Sequence, residues 1–114
     1  MIRDVQHQAD FSHLPEIIRR IVAAIDPDRI ILFGSRARGA AHAESDYDLL
    51  VIKATSERTL KLEQAAYRAL VGILGPVDIL VETPERLERL KDSPGLVFHD
   101  ALAQGRLIYE RSCE

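Results

Sequence analysis

Leu14, Ile17, Ile18, Ile21, Val22 and Ile25 recur at intervals of three and four residues, the spacing that puts apolar side chains on one face of a helix. A polar lead of about a dozen residues, 1–12, precedes this stripe and is expected to be flexible. Pro15 suits the first helical turn, and "DPD" at 26–28 ends the helix. "RIILF" at 29–33 is a short continuous apolar run that stops at Gly34, which predicts a buried strand. "SDYDLLVIK" at 45–53 predicts a second strand. Its period of two places Asp46, Asp48, Leu50 and Ile52 on one face and Tyr47, Leu49 and Val51 on the other.

Helical spacing returns from Leu62 through Ala65, Ala66, Ala69, Leu70, Ile73 and Leu74, with Gly75-Pro76 as its stop. "VDILV" at 77–81 reads as a third strand. Thr83, Pro84 and Glu85 form an N-cap, a first-turn proline and an acidic first turn, opening a short helix to about Lys91. "SPG" at 93–95 breaks it. A further helical segment, "LVFHDALAQ", precedes Gly105, and "RLIYE" at 106–110 predicts a fourth strand suited to a sheet edge. This order predicts an α/β (α+β) fold, a mixed β-sheet of about four strands packed by helices. Strand order is not readable from the pattern.

A length of 114 residues holds one core, so residues 1–114 are expected to form a single domain. No apolar run reaches the roughly 18 residues of a membrane span, and the first residues lack the apolar block of a signal peptide. A cytoplasmic protein with no membrane association is expected. Cys113 is the one cysteine, which leaves no internal disulfide and no paired thiols for zinc. With a net charge of −3, the chain lacks the broad positive field of a nucleic-acid binder, so no direct nucleic-acid partner is expected. Arg36 and Arg38 therefore read as a site for a small anion.

The candidate chemistry begins with Asp46, Asp48 and Asp78, which lie in or beside runs that otherwise read as sheet core. A carboxylate there requires a positive partner. If strands two and three are neighbours, the three converge, and a divalent cation keeps them all ionised near neutral pH. Carboxylate oxygens without histidine or cysteine suit a hard ion, Mg²⁺ or Mn²⁺, with positions left open for substrate phosphates. Gly34 and Ser35, ahead of a predicted helical turn, offer close backbone approach, exposed amides and a hydroxyl. Arg36 and Arg38 add charge-assisted hydrogen bonds to a polyphosphate. Each element alone has an ordinary reading: a structural turn, a polar strand entrance, a helix-end cap. Together they describe a nucleoside triphosphate held through metal.

Gly34-Ser35, ten intervening residues and Asp46-x-Asp48, with Asp78 in "VDILV", resemble the signature of the DNA polymerase beta-type nucleotidyltransferase superfamily. "FGSRARG" and the short length resemble its minimal nucleotidyltransferases, the antitoxin-like partners of HEPN-domain proteins. The resemblance implies the polymerase beta-like nucleotidyltransferase fold and transfer of AMP from ATP to a hydroxyl. Asp46 and Asp48 would hold the metals that bind the triphosphate, two ions in all. Asp78 would complete the metal nearer the acceptor and help deprotonate it. Gly34 and Ser35 would grip the β and γ phosphates. Arg36 and Arg38 stay open, one to phosphate and the other to a partner protein or an acidic residue.

The resemblance further implies a HEPN toxin as partner in a hetero-oligomer, adenylylated on a tyrosine by the antitoxin of a type VII-like toxin–antitoxin pair. About thirty residues follow Val81, too few for the helical domain of larger relatives, so the acceptor is expected from another chain. Two alternatives remain: an antitoxin that neutralises the toxin by binding alone, and a small-molecule transferase of the antibiotic-modifying type. His7, His13, His42 and His99 lack metal-ligand spacing. Tyr47, Tyr67 and Tyr109 read as packing residues, Lys53 as a solvated edge, and Glu57, Arg58, Lys61 and Glu63 as an outer helix face.

Overall fold

Four isoleucine and leucine positions of the first stripe, Leu14, Ile17, Ile21 and Ile25, are buried on helix α1, Leu14–Ile25. They belong to one core cluster, against which Ile18 and Val22 pack. The computed structural model describes residues 14–34, 47–73, 77–90 and 105–111. The polar lead and the predicted helical segment at 96–104 lie outside these residues. In the first turn of α1, hydrogen bonds from Arg19 and then Arg20 hold the exposed Glu16 carboxyl down at about 2. Asp26 follows the helix at a φ of 48°, a left-handed conformation that aspartate tolerates better than most residues. That turn redirects the chain into β1, Arg29–Phe33.

Strands β2, Tyr47–Ile52, β3, Val77–Glu82, and β4, Arg106–Glu110, complete a four-stranded sheet in the order β3-β2-β1-β4. β1 pairs antiparallel with β2 and with β4, while β2 and β3 run parallel. The sheet is therefore mixed, and "RLIYE" lies at an edge as its pattern predicts. Helix α2, Thr59–Ala69, crosses from β2 to β3, the connection a parallel pair requires. It starts earlier than the apolar spacing predicts and stops before Gly75-Pro76. The carbonyls of Ala69 and Val71 accept hydrogen bonds from Arg20 Nη1 at 3.2 and 3.0 Å, and Gly72 turns the chain at a φ of 96°. A cationic side chain from α1 thus closes the end of α2.

Alternation divides the sheet into two faces. Ile30, Leu32, Tyr47, Leu49, Val51, Ile79 and Val81 point toward α1 and α2, where Leu62 and Ala66 meet them. Ile31, Phe33, Leu50, Ile52 and Leu80 point the other way, around Leu87 of α3, Pro84–Leu90. Thr83 caps α3 as its sequence predicts, its Oγ1 accepting the Arg86 amide at 3.3 Å.

The far end of the sheet is tied by Asp28. Its Oδ2 accepts the Ala54 amide at 2.8 Å, and its Oδ1 lies 3.0 Å from Arg111 Nη1, just past β4. Arg111 Nη2 also reaches Asp26 Oδ2 at 3.0 Å. Lys53, read from sequence as a solvated edge, donates to the Asp26 carbonyl at 3.0 Å in the same corner. Asp28→Ala removes an amide acceptor and an ion-pair partner together. Urea denaturation of this variant is expected to show a loss of about 1–2 kcal/mol with an unchanged m value.

Candidate active site

Strand register builds the site. Asp48 is the Cα partner of Phe33 on β1 and of Asp78 on β3, so Phe33, Asp48 and Asp78 form one row across three strands. Residues in register on neighbouring strands present their side chains to the same face, with strands about 4.8 Å apart. This face is the one opposite α1 and α2, since Phe33 packs with the second cluster. The next row inward is Ile31, Leu50 and Leu80, which is apolar. The two carboxylates therefore stand at the end of an apolar strip, Asp48 half-buried and Asp78 exposed.

Gly34 ends β1 beside this row. Its φ is 79°, and a Cβ placed on it would overlap Oδ2 of Asp48 and stand 3.2 Å from Asp48 Cγ. Only a residue without a side chain lets the turn bring its backbone this close to the carboxylate. A glycine turn and two carboxylates from three successive strands meet at one end of the sheet.

Of the residues singled out by sequence, Gly34, Asp48 and Asp78 are thus brought together. Ser35, Arg36, Arg38 and Asp46 lie outside the described residues. Among the described residues no three metal-ligating side chains cluster, and Asp48 and Asp78 are two of the three carboxylates named above. Their oxygens are the hard donors that suit Mg²⁺ or Mn²⁺. A cation shared between carboxylates in register offsets the repulsion of their like charges. The geometry fits such an ion.

A family model described as polymerase beta, nucleotidyltransferase, matches residues 16–114. The chain belongs to the polymerase beta nucleotidyltransferase family. The chain is 30% identical over 83 residues to protein adenylyltransferase MntA of Aphanizomenon flos-aquae (strain 2012/KM1/D3), covering 71% of this chain and 55% of that protein. It spans about half the length of that curated relative.

Solved structures give the same fold. A Sulfolobus solfataricus protein assigned as a nucleotidyltransferase aligns with a TM-score of 0.60 at 23% identity, covering 86% of this chain and 78% of that one. A toxin–antitoxin crystal structure with AMP-PNP aligns at 0.57 and 24% identity, covering 86% and 73%. A mutant MntA–HpeT toxin–antitoxin structure aligns at 0.56 and 23%, covering 87% and 73%. The mixed four-stranded sheet with its helices is the polymerase beta-like nucleotidyltransferase fold.

Two side chains near the site escape sequence reasoning. Tyr67 and Glu63 of α2 read as packing and as an outer helix face. In the structure the Tyr67 hydroxyl accepts the Ile79 amide at 2.8 Å, and Glu63 Oε2 accepts the Val81 amide at 3.0 Å. Their spacing of four residues was the available signal, but it acquires meaning only once α2 is known to lie along β3. Among the described residues no helix is long and apolar enough to cross a membrane.

Proposed function

We propose that this protein is a metal-dependent protein adenylyltransferase that moves AMP from ATP to a hydroxyl, a tyrosine of a HEPN-domain toxin, and so acts as the antitoxin of the pair in the cytoplasm. The observation that carries the reading is the row Asp48–Asp78 with the side-chain-free approach of Gly34 beside it, in a chain of this family. The adenylyltransferase relative and the toxin–antitoxin structures support the choice of nucleotide and partner class.

Each residue has a role in the proposed reaction. Gly34 and Ser35 hold the outer phosphates through backbone amides and the serine hydroxyl, with Arg36 or Arg38 adding charge. Asp46, Asp48 and Asp78 would hold Mg²⁺ or Mn²⁺, two ions in the complete site. Such ions, when bound, neutralise charge on the triphosphate and acidify the acceptor hydroxyl. Asp78, at the exposed end of the row, faces the acceptor and takes up its proton. The acceptor oxygen bonds to the α-phosphorus, the bond to the β-phosphate's bridging oxygen breaks, and pyrophosphate leaves.

The test is transfer of label from α-labelled ATP to the co-expressed HEPN partner with Mg²⁺ or Mn²⁺. Label on a partner tyrosine, lost in Asp48→Ala, is expected. An unlabelled partner under both metals overturns the assignment, and toxin neutralisation that survives Asp48→Ala shows that binding alone suffices.

A further inference from the structure

Among the described residues β3 is an end strand of the sheet, in the order β3-β2-β1-β4. On a strand with one strand neighbour, alternate backbone groups face outward and need partners from elsewhere. Two outward amides of β3, those of Ile79 and Val81, receive side-chain partners among the described residues, Tyr67 and Glu63. Four residues of helix advance about 6 Å, and two residues of strand advance about 6.6 Å. One turn of α2 therefore matches one repeat of β3, and the two acceptors serve it much as a further strand would. α2 runs antiparallel to β3, which brings Tyr67 toward the carboxylate end and Glu63 toward the far end.

The two bonds differ in what they hold. The Ile79 amide belongs to the peptide unit whose carbonyl is that of Asp78. Fixing this N–H fixes the plane of the 78–79 peptide and with it the direction of the Asp78 side chain. On its other side Asp78 is held in register with Asp48 by β2. The Val81 amide lies three residues from Asp78. We infer that Tyr67 is a positioning residue for Asp78: its hydroxyl, acting through the Ile79 amide, sets the separation of the two carboxylates and hence their grip on a divalent cation. Glu63 anchors the same strand without this role. The assignment rests on the proposed function for the identity of the ion but not for the geometry.

Three variants test it: Tyr67→Phe, which removes only the hydroxyl; Glu63→Leu, which removes the other acceptor; and Glu63→Gln, which keeps an acceptor oxygen. In Tyr67→Phe, amide exchange at Ile79 is expected to rise up to about tenfold, the change that losing one hydrogen bond allows. Mn²⁺ alone, titrated by calorimetry, is expected to bind about fivefold more weakly to Tyr67→Phe and unchanged to Glu63→Gln and Glu63→Leu. In the transfer assay kcat falls by a similar factor while KM for ATP holds, since the phosphates are gripped at Gly34. A structural role alone would shift both acceptor-loss variants together. Equal effects of Tyr67→Phe and Glu63→Leu on Mn²⁺ binding overturn the inference, as does wild-type Mn²⁺ affinity in Tyr67→Phe. If the wild type transfers no label, the proposed function falls, but the Mn²⁺ titration needs neither nucleotide nor partner and still decides; no Mn²⁺ binding by either protein overturns the positioning role too.

Discussion

Gly34→Ala is expected to lower nucleotidyl transfer at least about 100-fold, the effect of displacing a reacting group by about 1 Å, while reducing stability by only about 1–2 kcal/mol. Two separate causes produce these effects. A φ of 79° strains any residue with a Cβ, which accounts for the stability loss. The overlap of that Cβ with Asp48 Oδ2 is relieved by rotating the carboxylate, which is inexpensive for folding but moves a group that the proposed reaction needs. Gly34→Asn separates the two. Asparagine tolerates positive φ, so it should recover most of the stability, yet it keeps the Cβ and should stay inactive. Thermal unfolding and label transfer on the same samples check both arms. A Gly34→Ala protein that transfers label at the wild-type rate would show that Asp48 has no fixed place in the chemistry.

Asp48→Asn and Asp78→Asn are expected to reduce transfer by about 10³-fold or more, equivalent to about 4 kcal/mol of transition-state stabilisation. Both retain shape and differ in charge, so their stability should show a pattern opposite to that of a structural residue. With EDTA present, each variant should melt close to the wild-type temperature, because relief of like charges in register across β2 and β3 offsets the weakening of each carboxylate's own polar contacts. Added Mn²⁺ should raise the wild-type midpoint, by about 2.7 kcal/mol in stability at a hundred times Kd, and leave the variants unmoved. Melting curves with and without Mn²⁺ measure this directly. Midpoints that fall in EDTA, with a Mn²⁺ effect intact, would make the pair a structural feature.

Much of this site is visible in the chain because its parts are local. The isoleucine stripe of α1 needs only helical spacing, and the alternation in "DYDLLVI" assigns Asp48 to the face away from Leu49 and Val51 before any strand partner is known. Gly34 is marked by ending an apolar run. The pairing of Asp48 with Asp78 is different: it depends on β3 lying beside β2, which strand patterns do not encode. The end of α2 is likewise tertiary. Its apolar spacing continues to Leu74, but Arg20 of α1 draws the carbonyls of Ala69 and Val71 and closes the helix sooner. Glu63 shows the limit most plainly, because a charged residue on a polar helix face looks solvated until a strand edge is laid against it.

The parallel pairing of β2 with β3 also bears on the order in which the molecule assembles. Asp48 and Asp78 lie within one continuous stretch, Tyr47–Glu82, whose chain closes between Ile52 and Val77. The pairing of β1 with β4 must instead close the chain between Phe33 and Arg106, a loop roughly three times as long and about 1 kcal/mol more costly in entropy. Short closures precede long ones when other terms are similar. The carboxylate pair therefore belongs to the early-forming unit, and β4 with its Arg111 clasp joins a sheet on which the two acids already stand side by side.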